Sequence, residues 1–142
     1  MKFNILGAGS VGLRHIKNLL GLGHTISMVH DPNPDKSEEI KRIAPGAQFT
    51  LDEDEVFSVS CDALLLCSPT IDHARQLEVA LMQDRDVFVE KPISHTLDSA
   101  SSLISLADSK QRVVLVGCNL RFFPSLIRVK QMVENGDIGK PL

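Results

Sequence analysis

Short apolar runs alternate with amphipathic stretches along the whole 142-residue chain, with no internal repeat and no low-complexity linker. Phe3 to Leu6 reads as a buried strand. The turn Gly7-Ala8-Gly9-Ser10-Val11-Gly12 follows, then a helix to about Leu20 that Gly21 and Gly23 end. Thr25 to His30 reads as a second strand, and the loop Asp31-Pro32-Asn33-Pro34 caps a helix running through Ile43. A short strand from Gln48 to Thr50 and an acidic helix from Asp52 to about Ser58 come next. Ala63-Leu64-Leu65-Leu66-Cys67 is a continuous apolar run, the pattern of a central parallel strand covered on both faces. After Ser68-Pro69-Thr70, residues Ala74, Leu77, Val79, Ala80 and Leu81 largely recur at helical spacing. Asp86 to Glu90 is a fifth strand, and Val113 to Val116 a sixth. Between them a helix from Thr96 to Asp108 is expected to bury Leu97, Ala100, Leu103, Ile104 and Ala107. Pro124 to Asn135 forms a final amphipathic helix, followed by Gly136-Asp137-Ile138-Gly139-Lys140-Pro141-Leu142.

Strands joined by helices in strict alternation require right-handed crossovers and a parallel sheet. The expected fold is a single three-layer α/β/α domain with a doubly wound sheet in the order 3-2-1-4-5-6. The domain proper is expected over residues 1–118, with 119–142 a linker helix and connection leading away from it.

Composition fits that frame. The chain is 43% hydrophobic and 23% charged, the balance of a globular protein. A net charge of -3 argues against nucleic acid or an anionic membrane as partner, and no apolar stretch approaches a membrane span. Without Trp or Tyr, stacking on bases is not an available binding strategy. Cys61, Cys67 and Cys118 form neither an even disulfide set nor a C-x-x-C pair, which suits a reducing cytoplasm.

The glycine turn gains weight from its surroundings: it follows a buried strand, opens a helix, and is followed 19 residues after Gly12 by Asp31 at the end of the second strand. In that arrangement Gly7 allows a tight turn, Gly9 lets the backbone approach a pyrophosphate, and Gly12 lets the helix lie close to the strand. Ser10 and Val11 open the helix, whose N-terminus offers unpaired N–H groups to phosphates. Asp31 is placed to accept hydrogen bonds from ribose hydroxyls and to repel a 2′-phosphate, and no Arg follows it. NAD is therefore the expected cofactor, in preference to NADP.

Ser68-Pro69-Thr70 falls at the carboxyl end of the fourth strand, beside the reversal of strand order where ligands bind in open α/β sheets. The loop is a candidate for the nicotinamide half. Equally, it is a capping turn, with Thr70 or Asp72 capping the next helix and His73 a half-exposed helical residue. His15, His24, His30 and His95 show no metal-ligand spacing and read as ordinary helix, strand and loop residues; no metal is expected. Glu90-Lys91-Pro92 ends the fifth strand on the same edge as the glycine turn, where a lysine can bind a substrate oxygen or pass a proton. A single lysine at a strand end is more often a solvated charge.

Five linked motifs shift that balance: G-A-G-S-V-G-x-R-H from Gly7 to His15, S-P-T-x-x-H from Ser68 to His73, Val87-Phe88-Val89-Glu90-Lys91-Pro92, Gly117-Cys118-Asn119-Leu120-Arg121-Phe122, and Gly136-Asp137-Ile138-Gly139-Lys140-Pro141. In order and spacing they resemble the N-terminal part of the Gfo/Idh/MocA oxidoreductases, the family of glucose-fructose oxidoreductase and inositol dehydrogenase. The resemblance implies an NAD-dependent oxidoreductase acting on the CH–OH group or carbonyl of a sugar, cyclitol or nucleotide-sugar. It implies that Lys91 is catalytic, touching nicotinamide ribose and substrate. Glu90, His73 and Asn119 would line the cofactor cleft, and Pro92 would follow a cis peptide bond. The family's usual T-P-N is S-P-T here, so the loop contacts of Ser68, Pro69 and Thr70 transfer less directly.

The family's reaction also uses a carboxyl-terminal α+β substrate domain with an Asp-x-x-x-His pair, and no histidine follows His95 here. The resulting expectation is a chain that holds NAD(H) without turnover on its own and meets its substrate only with that domain. An apolar flank left uncovered would favour a homo-oligomer. The alternative from a different class is a stand-alone NAD-sensing regulatory module. Glu90-Lys91-Pro92 and the tail motifs favour the oxidoreductase.

Overall fold

The structure is a computed structural model and describes residues 1–139. Six parallel strands form one sheet in the order β3-β2-β1-β4-β5-β6: β1 Lys2–Leu6, β2 Thr25–His30, β3 Gln48–Thr50, β4 Ala63–Leu66, β5 Asp86–Val89 and β6 Val114–Val116. The helices between them are α1 Ser10–Gly21, α2 Lys36–Ile43, α3 Glu53–Ser58, α4 Thr70–Met82 and α5 Leu97–Lys110. A 3-10 turn over Asn119–Phe122 leads into α6, Pro124–Glu134. The expected doubly wound order is the one observed.

Strand periodicity sorts the core into two layers. Ile5, Val29 and Leu65 point to the face covered by α1 and α2, where Leu13, Ile16 and Ile40 meet them. Leu6, Leu64, Leu66, Val87 and Val89 point to the opposite face and pack on Val56, Leu77, Leu81, Leu103 and Ala107 of α3, α4 and α5. All four residues of β4 are buried, as a strand covered on both sides must be. Asn4 is the polar residue inside β1, and its Nδ2 donates to the Val56 and Val59 carbonyls at 2.9 Å each, satisfying the C-terminal end of α3.

Two expectations change. Along α5 only Leu103 and Ala107, an i,i+4 pair, are buried among the described residues; Leu97 is 87% exposed and Ile104 58% exposed. Leu97 is the first residue of the helix, and Ile104 borders an open hollow of about 300 Å³ with Leu77, Val114 and Val116. The other change concerns the α6 stripe, which has no buried residue among the described ones. Leu115 of the edge strand β6, with Leu120, Phe122, Phe123 and Leu126 after it, is also exposed. No helix among the described residues is long and apolar enough to cross a membrane. Lys140 and Pro141 of the last motif lie outside the described residues.

Candidate nucleotide cleft

The crossover from β3 to β4 brings the chain back beside β1, so the segments leaving the paired C-terminal ends of β1 and β4 turn to opposite faces of the sheet and leave a crevice between them. The glycine turn sits at its mouth. Gly7 has φ +93°, and a Cβ there would stand 2.5 Å from the Cys67 carbonyl oxygen. A Cβ on Gly12 would drive into the Gly7 carbonyl, so α1 leaves the strand at a distance only glycine permits. Gly9, the N-cap of α1, has nothing within 4 Å of its missing Cβ, which leaves the crevice side clear. Ser10 and Val11 form the first turn of α1, which carries no acidic residue and no side-chain cap. That uncapped end, with room above Gly9, fits a pyrophosphate.

A cavity of about 410 Å³ opens beside this turn, lined among others by Gly7, Gly9, Asp31, Glu53, Ser68 and Pro69. Asp31 already works within the protein: Oδ2 accepts the Ala8 N–H at 2.7 Å and Oδ1 accepts the Asn33 N–H at 2.9 Å. The same carboxylate thus fixes the glycine turn to the end of β2 and keeps further lone pairs for a ligand. At the back of the cavity Ser68 Oγ donates to Gln76 Oε1, and Gln76 Nε2 donates to Glu53 Oε2 at 2.7 Å. Arg75 meets the other Glu53 oxygen at 2.6 Å. Burial alone would raise the Glu53 carboxyl pKa, but the hydrogen bonds from Arg75 and Gln76 outweigh it and hold the group below its ordinary value. Burial, with a smaller push from the Glu90 charge, raises the Cys67 thiol to about 12.

The β5 side of the edge holds the remaining candidates. Glu90 and Asn119 border a second cavity of about 290 Å³, together with His15, Phe88, Gly117 and Phe122. His15 Nε2 lies 2.8 Å from Glu90 Oε1, so this histidine is not the ordinary helix residue its spacing suggested. Lys91 is exposed, its backbone N–H donates to Glu90 Oε2 at 3.3 Å, and the Lys91–Pro92 peptide is cis. Its side chain has no hydrogen bond or ion pair among the described residues.

α4 begins at Thr70 after Pro69, and neither Thr70 nor Asp72 caps it through a side chain. His73 is 1% exposed rather than half-exposed. Its Nδ1 lies 2.8 Å from the Pro92 carbonyl oxygen and its Nε2 2.9 Å from that of Ser68. The sequence marks His15 as the end of the glycine motif but gives it no site role, and it does not single out Glu53 or Gln76. For two of them the signal was positional: His15 follows Gly12 by three residues and Gln76 follows His73 by three, which places each pair on one helix face. Among the described residues no group of three His, Cys, Asp or Glu side chains is placed to hold a metal ion.

Comparison with known proteins bears on this geometry. Residues 1–118 match the family described as "Oxidoreductase family, NAD-binding Rossmann fold" (GFO/IDH/MocA). The uncharacterized oxidoreductase YrbE of Bacillus subtilis is 31% identical over 144 aligned positions, covering 96% of this chain and 41% of the relative. Inositol 2-dehydrogenase of Rhodococcus erythropolis is 29% identical over 147 positions, covering 100% of this chain and 42% of the relative. Among solved structures, the WlbA dehydrogenase of Bordetella pertussis, in complex with NADH and UDP-GlcNAcA, superposes with a TM-score of 0.88 over 97% of this chain and 43% of its own. At 23% identity that likeness shows the shared fold. The chain spans about two-fifths of the length of the relatives it matches.

Proposed function

The chain belongs to the GFO/IDH/MocA oxidoreductase family, whose signature is an NAD-binding Rossmann fold, and on that premise we propose that it is the cofactor-holding part of an NAD-dependent dehydrogenase. The observation that carries this is the glycine turn: both Gly7 and Gly12 stand where a Cβ would strike backbone, beneath an uncapped helix end. Gly9, Ser10 and Val11 would hold the pyrophosphate of NAD, and Asp31 its adenosine ribose. Ser68, Pro69, Thr70, Glu90 and Asn119 would hold the nicotinamide half. Residues 1–118 form this cofactor domain, and 119–142 lead toward a substrate domain.

Bound nicotinamide supplies a hydride acceptor or donor. Lys91, at the end of β5, binds the reacting oxygen of an alcohol or carbonyl substrate and passes a proton. The substrate class is a sugar, cyclitol or nucleotide-sugar, in keeping with the relatives named above. Lys91 is exposed to water, and a proton acceptor working beside it needs a closed pocket. These 142 residues by themselves therefore hold the cofactor without appreciable turnover. Their exposed apolar surface at Leu115, Phe122 and Phe123 favours association with further polypeptide, a second copy included.

The test is a fluorescence titration with NADH, followed by an assay of NAD reduction with inositols and nucleotide-sugars. Saturable binding without reduction is expected. Absence of binding would overturn the cofactor assignment, and robust reduction by these residues alone would overturn the division of labour.

A further inference from the structure

The β4–β5 ladder ends where the Glu90 N–H donates to the Leu66 carbonyl at 2.9 Å. Beyond that point the two strands become loops, one carrying Ser68 and the other Lys91. His73, in the first turns of α4, spans them: one ring nitrogen lies 2.9 Å from the Ser68 carbonyl oxygen, the other 2.8 Å from that of Pro92. The ring is 1% exposed, so it meets these two loops rather than solvent. α4 holds the Ser68 side a second time, through Gln76 Oε1 and the Ser68 hydroxyl.

We propose that His73 is a positioning residue, a clasp that replaces the missing ladder hydrogen bond and sets the distance between the Ser68 loop and the Lys91-Pro92 segment across the nicotinamide half of the cleft. The inference rests on the cofactor reading above, but its geometry is independent of it. Imidazole suits the task because its nitrogens lie on different sides of a rigid ring. Both partners are carbonyl oxygens, which only accept, so the ring nitrogens act as the donors; a neutral ring serves one carbonyl at a time and a doubly protonated ring serves both. A flexible side chain that reached both loops would leave their separation free. The peptide bond from Lys91 to Pro92 then transmits the clasp to the residue assigned to substrate.

The test compares His73→Phe, which keeps the ring volume without donors, with His73→Asn and His73→Gln. Asn presents an N–H near the Nδ1 position and Gln near the Nε2 position. In the 142-residue chain, His73→Phe is expected to weaken NADH binding roughly tenfold while ADP-ribose, which lacks the nicotinamide, changes less than about twofold. His73→Asn should recover most of the loss by restoring the Pro92 link. Equal weakening of both ligands by His73→Phe, or no weakening of either, would overturn the proposal. Amide hydrogen exchange supplies a readout that needs no ligand. In His73→Phe it should accelerate in residues 67–70 and 90–95 and stay unchanged in β1 and α1. Unchanged exchange in both loops would also overturn it. A wild-type chain that fails to bind NADH, yet shows this exchange pattern on substitution, would remove the cofactor reading and leave the clasp standing.

Discussion

His15 and Glu90 join the first helix to the end of the fifth strand: the His15 Nε2–H donates to Glu90 Oε1 across 2.8 Å. The imidazole also meets Phe88 edge-on, with ring centroids 4.9 Å apart. Gly117 of the neighbouring segment makes the room, since a Cβ there would lie 3.2 Å from the Glu90 carboxyl. Together with His73 on the opposite face, this pair holds Glu90-Lys91-Pro92 from both helix layers. The partners are 20% and 16% exposed, so the interaction sits between a surface pair and a buried one. A double-mutant cycle of His15→Ala and Glu90→Ala, read by urea unfolding, should give a coupling of about 1 kcal/mol. A coupling indistinguishable from zero would show that the two side chains merely lie near one another.

Gly9 and Gly12 make a contrasting pair. Gly12→Ala forces a methyl group into the Gly7 carbonyl, a backbone group that cannot swing aside, and should cost on the order of 3 kcal/mol or more. Gly9 has ordinary extended dihedrals, φ -66° and ψ -175°, and open space around its missing Cβ. Gly9→Ala should therefore change stability by no more than about 0.5 kcal/mol while weakening NADH binding severalfold. Thermal unfolding alongside NADH titration separates the two effects. Intact NADH affinity in Gly9→Ala would mean the cofactor does not pass over this residue.

The sequence made the sheet readable because most strands are short, largely apolar runs between turn residues, and Ala63 to Leu66 is apolar throughout. It also exposed the glycine turn and Asp31 as candidates, through their local spacing. The contacts of His15 and His73 were hidden for a different reason. Glu90 lies 75 residues from His15, and the partners of His73 are backbone carbonyls, which leave no trace in residue identity. Leu97 and Ile104 misled because periodicity gives a helix an apolar face without giving it a neighbour wide enough to cover that face.

Asp31 carries two duties, and substitution should separate them. As a negative charge near the ribose it should hold NADPH affinity at least about tenfold below that for NADH, a difference of ~1.4 kcal/mol. Asp31→Asn should narrow that ratio while its remaining amide oxygen still accepts one backbone N–H. Asp31→Ala strands the N–H groups of both Ala8 and Asn33, and Ala8 is fully buried; a loss of about 1–3 kcal/mol in stability is expected in addition. Parallel NADH and NADPH titrations of the three proteins, with urea midpoints, decide the matter. An unchanged cofactor ratio in Asp31→Asn would leave Asp31 a structural residue alone.

Cys67 gives the alkaline side of the stability profile. Burial lifts its thiol from an ordinary 9.0 to about 12, so the folded state retains a proton that the unfolded chain releases from about pH 9 upward. Between those values the native state binds more protons than the unfolded one, and stability must fall as pH rises, with a limiting slope near ~1.4 kcal/mol per pH unit. Below pH 9 both states are protonated and the effect vanishes. Cys67→Ala removes the group and should flatten the decline between pH 9 and 11 when unfolding is followed by urea titration. Thiol labelling at pH 8 supplies the second check. Cys118 is exposed and should react at once, whereas the buried Cys61, whose thiol burial also raises, should label only as the protein opens. Cys67 is partly exposed at the cavity wall, and its raised thiol should make it label far more slowly than Cys118. Labelling of Cys67 as fast as Cys118 would mean that its proton is not held by the fold.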